Sequence, residues 1–123
     1  MKKVILDSSF IISCVKQKID FFEEIKFMGL QILIPTQVIN EIEKVANSKK
    51  KFHIKKNANL ALEILKINSF KKVEFEEKYV DTALAKFAKK NKNVVVATLD
   101  RELKNKLKNS KLIIRGKNKL EIV

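Results

Sequence analysis

Apolar residues recur along this chain in two rhythms, short continuous runs and stripes spaced three to four residues apart. Lys3 to Leu6 is a β-branched apolar run that stops at Asp7, which predicts a buried strand. Ser8 or Ser9 then offers an N-cap for a helix through Phe10, Ile11, Cys14 and Val15. Asp20 and Glu23 have the spacing of a capping box, Phe21, Phe22, Ile25 and Met28 form a helical stripe, and Gly29 is placed to end it. Gln31 to Ile34 reads as a second strand. After Pro35, Thr36 is placed to cap a helix with Val38, Ile39, Ile42, Val45 and Ala46 on one face.

The polar, basic stretch 47–56 reads as a loop or frayed helix end, after which Ala58, Ala61, Leu62 and Leu65 resume the helical period. Lys72 to Phe75 predicts a third strand, and Glu76 to Lys90 a helix with Val80, Ala83, Leu84, Phe87 and Ala88 on one stripe. Asn93 to Ala97 predicts a fourth strand buried on both faces, Arg101 to Lys108 a short helix, and Lys111 to Arg115 a fifth strand. The tail from Lys119 to Val123 extends the sheet or lies on it. Strands that alternate with helices and are apolar throughout require right-handed crossovers and a mostly parallel sheet covered on both sides. The expected fold class is α/β, a three-layer α/β/α sandwich with a mostly parallel five-stranded sheet.

The 123 residues, 46% of them hydrophobic, suit one domain over residues 1–123, with no linker-like segment to divide it. A single cysteine excludes an intrachain disulfide and a thiolate metal cluster, and fits a reducing cytoplasm. The N-terminal apolar run is too short for a signal segment or a membrane span, so no membrane role is expected. The 27 basic residues against 14 acids leave a net charge of +13, a field that attracts polyanions such as nucleic acid, without sequence preference of its own. Two glycines leave no phosphate-cradling loop or dinucleotide fingerprint.

Asp7 and Asp100 each close a predicted strand just before a helix, so both stand at carboxyl ends, which in an open parallel sheet share one ligand-binding edge. Glu41 and Asp81 lie in the first halves of helices that begin at that edge, each on the border of its apolar stripe. Four converging carboxylates repel one another, and hard oxygen ligands suit Mg²⁺ or Mn²⁺. Each acid alone has an ordinary explanation as a cap or a dipole partner. Their conjunction at one edge is what singles them out. Ser8, Ser9 and Thr98 flank the strand-end acids and are placed to orient a carboxylate or water, as Glu102 is placed to add another carboxylate. Asp20 and Glu23 read as caps, His53 as a surface residue and Cys14 as core.

The segments VILDSS with Asp7, VINEIEK with Glu41, YVDTALAKFA with Asp81 and VVVATLDREL with Asp100 resemble the PIN-domain nucleases over nearly the whole chain. That resemblance implies an α/β/α sandwich, Mg²⁺ or Mn²⁺ dependence and hydrolysis of single-stranded RNA. It makes Asp7, Asp81 and Asp100 metal ligands, and Glu41 a ligand of a second metal or of its water, in an endoribonuclease. INEIEK, VATLDRELKNKL and the closing LIIRGKNKLEIV are most similar to the small-subunit processome branch, which processes ribosomal RNA precursors. The VapC-like toxin branch has the same acids. Departures stand at Ser9, Thr82 and Leu99, where the family often has Asn, an acid and Asn. Lys49, Lys50, Lys51, Lys55, Lys56, Arg101 and Lys104, with the lysines of stretches 49–56 and 104–119, are then the expected grip on the RNA. A homodimer or an antitoxin-like protein is the expected protein partner. The competing reading is a catalytically weak RNA-binding scaffold of ribosome assembly, and a third, a phosphoacceptor domain, is disfavoured by the lysine excess.

Overall fold

The structure, a computed structural model, describes residues 2–116 and 118–123; Lys117, inside the basic stretch read as part of the RNA grip, lies outside the described residues. The elements follow in the order β1 (Lys3–Leu6), α1 (Ser8–Lys16), α2 (Phe21–Phe27), β2 (Gln31–Pro35), α3 (Thr36–Ala46), α4 (Phe52–Ile67), β3 (Lys71–Val73), α5 (Val80–Lys90), β4 (Val95–Ala97), α6 (Arg101–Lys106), β5 (Leu112–Arg115) and β6 (Lys119–Ile122).

Four strands pair in parallel in the order β3-β2-β1-β4, with Ile5 opposite Leu33 on one side and Val96 on the other. Side chains alternate across each strand. Val4, Leu6, Ile32, Ile34, Val95 and Ala97 therefore join one apolar cluster with α1 to α4, while Ile5, Leu33 and Val96 join a second with α5 and α6. The three layers are those expected from the sequence. From β1 to β3 the chain steps outward with its helices on one face, then crosses back beneath the other face to place β4 beside β1. Right-handed connections demand this change of face when the direction reverses. The reversal lies between β1 and β4.

The fifth strand is corrected. β5 pairs antiparallel with β6 in a separate two-stranded sheet, and its approach to the main sheet is one isolated bridge, Val96 to Lys111, with Val96 N–H donating to the Ser110 carbonyl at 3.0 Å. Gly116 and Asn118 take left-handed backbone angles (φ +59° and +66°), which reverse the chain and commit β5 to its sequence neighbour.

Several local expectations also shift. Asp7, not Ser8 or Ser9, caps α1 by accepting from Ser8 N–H, whereas Asp20 caps α2 by accepting from Glu23 N–H. Thr36 is the first residue of α3, where Pro35 holds the cap position without a side-chain bond, and Thr36 Oγ1 is buried with no hydrogen-bond partner. Helix α4 starts at Phe52, taking in His53 to Lys56, because half-buried Ile54 extends the Ala58, Ala61 and Leu65 stripe back by one turn. Helix α5 starts at Val80 rather than Glu76, because Gln37 Nε2 donates to the carbonyls of Glu77 (2.6 Å) and Lys78 (3.4 Å) and holds residues 76–79 out of the helix. Gly29 follows the α2 C-cap with φ +73°, and Cys14 is fully buried, its thiol pushed up to about 12 by burial and then by Glu24. Among the described residues no helix is long and apolar enough to cross a membrane.

Candidate active site

Asp7 ends β1 at the reversal point, and its backbone is tied to the neighbouring strand by N–H donation to the Ala97 carbonyl at 2.9 Å. Its side chain is 6% exposed, so its carboxylate needs donors to offset lost hydration. It has three. Ser8 N–H donates to Oδ1 at 2.8 Å, while Thr98 Oγ1 at 2.8 Å and Ser9 Oγ at 3.3 Å donate to Oδ2. Thr98, with no exposed surface, accepts in turn from Asp100 N–H at 3.2 Å, and Ser9 Oγ accepts from Leu99 N–H at 3.1 Å. Two hydroxyls thus bind the end of β1 to the turn after β4. That turn is further fixed by Asp100, which caps α6 by accepting from Glu102 and Leu103 N–H at 2.9 and 3.3 Å.

Glu41 and Asp81 come to the same edge from α3 and α5. Ser8 Oγ donates to Glu41 Oε1 at 3.4 Å, a contact from the turn that holds Asp7. Burial pushes the Glu41 carboxyl above its usual value, the charges of Asp7 and Asp81 push it further, and Ser8 and Lys44 oppose. Burial likewise raises Asp81, followed by the charges of Asp7 and Asp100 and a hydrogen bond with the Asp100 carboxyl, against Lys106. Asp7 and Asp81 are thus near enough to oppose the ionisation of Glu41, and Asp7 and Asp100 that of Asp81. Glu41 and Asp81 remain open to solvent on one side. Among the described residues no three acidic, histidine or cysteine side chains are drawn close enough to enclose a metal ion as they stand. The donors are all carboxylate and hydroxyl oxygens, the set that hard divalent cations prefer, and their mutual repulsion is what a cation between them would relieve. The residues present fit such an ion.

Residues 4–117 match the family described as a PIN like domain. The chain belongs to the PIN-like domain family. It is 36% identical over 129 residues to Ribonuclease VapC4 of Methanocaldococcus jannaschii, covering 99% of this chain and 97% of the relative. Among solved structures it is similar to the PIN domain endonuclease Utp24, with a TM-score of 0.79 and 26% identity over 98% of this chain and 90% of that one. A domain of a functionally unknown protein from Methanocaldococcus jannaschii shares the fold, with a TM-score of 0.64 and 21% identity over 100% of this chain and 99% of the other. The resemblance to PIN-domain nucleases, with both branches in view, is therefore upheld.

The other candidate residues of this PIN-like domain are placed as follows. Glu102 is exposed in the first turn of α6 and contributes its backbone N–H to Asp100. Arg101 and Lys104 share that helix. Lys49, Lys50 and Lys51 are exposed between α3 and α4, with Lys55 and Lys56 in the first turns of α4. Only two ion pairs, Lys86 with Glu77 and Arg115 with Glu121, form among the described residues, so most of the positive field is uncompensated. Sequence reasoning missed Lys44 and Lys106, the bases that temper Glu41 and Asp81. Lys44 stands three residues after Glu41, a helical spacing that could have revealed it, while Lys106 has no such local signal. Two clefts wider than any at the acids lie elsewhere among the described residues. One of about 1120 Å³ runs between α2, α4 and the beginnings of β2 and β3, and a basic one of about 880 Å³ includes Lys2, Lys3, Lys71, Lys72, Lys90 and Lys92. Both reach the amino ends of the strands, away from the acids, so cleft size is no guide to the chemistry here.

Proposed function

We propose that residues 1–123 act as one PIN-like domain, a divalent-metal-dependent endoribonuclease that hydrolyses single-stranded RNA. The observation that carries this reading is the convergence on Asp7, itself held by three donors at the reversal point of the sheet, of Glu41, Asp81 and Asp100, with the Glu41 and Asp81 carboxyls pushed up first by burial and then by the neighbouring acids. Asp7, Asp81 and Asp100 are the residues placed to hold Mg²⁺ or Mn²⁺, with Glu41 on a second ion or its water. Such an ion, when bound, would polarise the phosphoryl oxygen and acidify a water. Thr98, Ser8 and Ser9 orient Asp7 and tie it to the Asp100 turn, while Lys44 and Lys106 limit the repulsion. The positive surface draws the RNA backbone to an edge whose own charge would repel it. Helix α4 ends where β3 begins, at the amino edge, so its start, with Lys49, Lys50 and Lys51 before it and Lys55 and Lys56 in it, projects toward the acid edge, while Arg101 and Lys104 stand on α6, which packs on the other face of the sheet.

The relative named Ribonuclease VapC4, similar along nearly its whole length, favours the toxin branch. The protein partner proposed is an antitoxin-like protein or a second copy of this chain, and the location the cytoplasm. The likeness to Utp24 supports a second reading, cleavage of ribosomal RNA precursor. The test incubates purified protein with unstructured and structured RNA, with Mn²⁺ or chelator, beside Asp7→Asn, Asp81→Asn and Asp100→Asn. Cleavage of the unstructured RNA should need metal and fall by orders of magnitude in each variant, while RNA affinity changes little, because a ligand of the catalytic ion acts chiefly in the transition state. Cleavage that survives in all three variants, or a wild type that binds RNA and never cuts it, would replace the nuclease with the RNA-binding scaffold. Preference for one position in a ribosomal precursor over other single strands would select the second branch.

A further inference from the structure

Between α3 and the segment that leads into α5 lies a cleft of about 350 Å³. It is near the lower end of the roughly 300–1,000 Å³ usual for small-molecule sites, room for one nucleotide-sized ligand and not for a duplex. Glu41 and Asp81 line it together with Asn40, Lys44, Lys78 and Tyr79. The unusual member is Tyr79. Its side chain is 67% exposed and contributes nothing to either apolar cluster, although it is a large aromatic ring immediately beside the acids. The backbone beneath it is nevertheless firmly held. Gln37 Nε2 donates to the carbonyls of Glu77 at 2.6 Å and Lys78 at 3.4 Å, and the Tyr79 carbonyl accepts from Ala83 N–H at 3.0 Å as α5 begins. A ring on a fixed backbone, open to solvent, is a stacking platform. Lys78 Nζ lies over the ring, 5.7 Å from its centroid, and Lys44 of α3 lines the same cleft, so two cations accompany the platform, one of them on a ring face that a stacking base would have to share or take.

We propose that this cleft is a nucleotide subsite in which the base of one unpaired ribonucleotide stacks on Tyr79. Lys44 and Lys78 neutralise its flanking phosphates, and the Asn40 amide, with a donor and an acceptor together, meets the base edge. The proposal rests on the RNA-cleaving reading and adds to it the place where strandedness is sensed. A base can lie on a side-chain ring only after it leaves its own stack, so a duplex is excluded and the adjoining phosphodiester is delivered to Glu41 and Asp81.

Tyr79 is the only tyrosine and there is no tryptophan, so intrinsic emission reports on this ring alone. The experiment titrates the intact protein, in chelator to prevent cleavage, with a short unstructured oligoribonucleotide, following tyrosine emission and, in parallel, the anisotropy of a labelled copy of the RNA. Emission should be quenched along the same saturation curve as the anisotropy, and a duplex of equal length should not quench it. Tyr79→Phe, which keeps the ring, should bind within about twofold of wild type, and Tyr79→Ala about 5- to 150-fold more weakly, the range that loss of one base–aromatic stack gives. Exposure of Tyr79 means that Tyr79→Ala should melt near wild type, which separates a lost platform from a lost fold. Unchanged emission while anisotropy reports binding, or wild-type affinity in Tyr79→Ala, would overturn the subsite even if metal-dependent cleavage persists. Quenching without any metal-dependent cleavage would sustain the subsite and defeat the nuclease.

Discussion

The bond from Thr98 Oγ1 to Asp7 Oδ2 can be tested by changing one atom pattern at constant volume. Thr98→Val keeps the β-branched shape in a site with no exposed surface and removes the hydroxyl, so packing is preserved while a 2.8 Å bond to a buried carboxylate disappears. A hydrogen bond to a charged group contributes about 1.5–3 kcal/mol net. Asp100 N–H also loses its 3.2 Å acceptor, which adds roughly 0.5–1 kcal/mol because this group is only part-buried. The expected loss for Thr98→Val is therefore about 2–4 kcal/mol. Thr98→Ser keeps the hydroxyl and deletes one methyl, a loss of about 1 kcal/mol. At roughly 3–5 °C per kcal/mol for a chain of this length, the valine variant should melt about 6–20 °C below wild type and the serine variant about 3–5 °C below. Urea unfolding at neutral pH in chelator measures the same difference without metal binding. If Thr98→Val is as stable as Thr98→Ser or more so, the hydroxyl does not hold Asp7 and the bridge between β1 and the Asp100 turn is wrongly assigned.

Millimolar Mn²⁺ or Mg²⁺ should raise the melting temperature of wild type, by the equivalent of about 2.7 kcal/mol at a hundredfold excess over Kd, and less in Asp7→Asn or Asp100→Asn; scanning fluorimetry showing no shift in wild type would rule out the ion site. Glu41 and Asp81 have folded pKa values raised above the ordinary 4.5 and 3.8, so the folded state binds their protons more tightly than the unfolded state does. Their penalty is present above the folded values and is relieved as pH falls toward the ordinary ones, so without metal Glu41→Gln and Asp81→Asn should be more stable than wild type at pH 7, an advantage that shrinks on acidification; melts at pH 7 that place both variants below wild type would contradict the repulsion. Replacing Lys49, Lys50 and Lys51 together by Gln should leave the melt unchanged and flatten the plot of log affinity for single-stranded RNA against log salt by about 0.7 for each phosphate no longer neutralised. An unchanged slope in that binding series would put the RNA path on another surface.

The partition between local and tertiary information is clearest where expectation and structure part. The stripe through Glu76 to Lys90 is helical by period, yet its first turn is absent because a side chain forty residues earlier, Gln37, engages two of its carbonyls. Helix propensity is a small term, and one well-placed tertiary donor can outweigh it. The fifth apolar run was legible as a strand, but its partner was not. Gly116 and Asn118, both left-handed, stand between β5 and β6, and a hairpin closes a far shorter loop than a crossover does, so local closure took β5 out of the main sheet. At α1 the cap fell to Asp7 rather than to a serine, because Asp7 is the residue in extended conformation at the strand end.

Sequence alone determined the four parallel strands, the two helical layers and the arrival of Asp7 and Asp100 at one edge, because apolar period selects strand or helix and a parallel sheet puts every carboxyl end on the same side. It also marked Glu41 and Asp81 through their places at the stripe borders. Only the tertiary structure decided which hydroxyl serves which acid, that Ser8 turns to Glu41 while Thr98 takes Asp7, and that Lys44 and Lys106 oppose the repulsion. Hydrogen bonds and charge coupling depend on ångström distances between residues as many as ninety positions apart. No period along the chain encodes those distances, and they exist only once β4 has been laid beside β1.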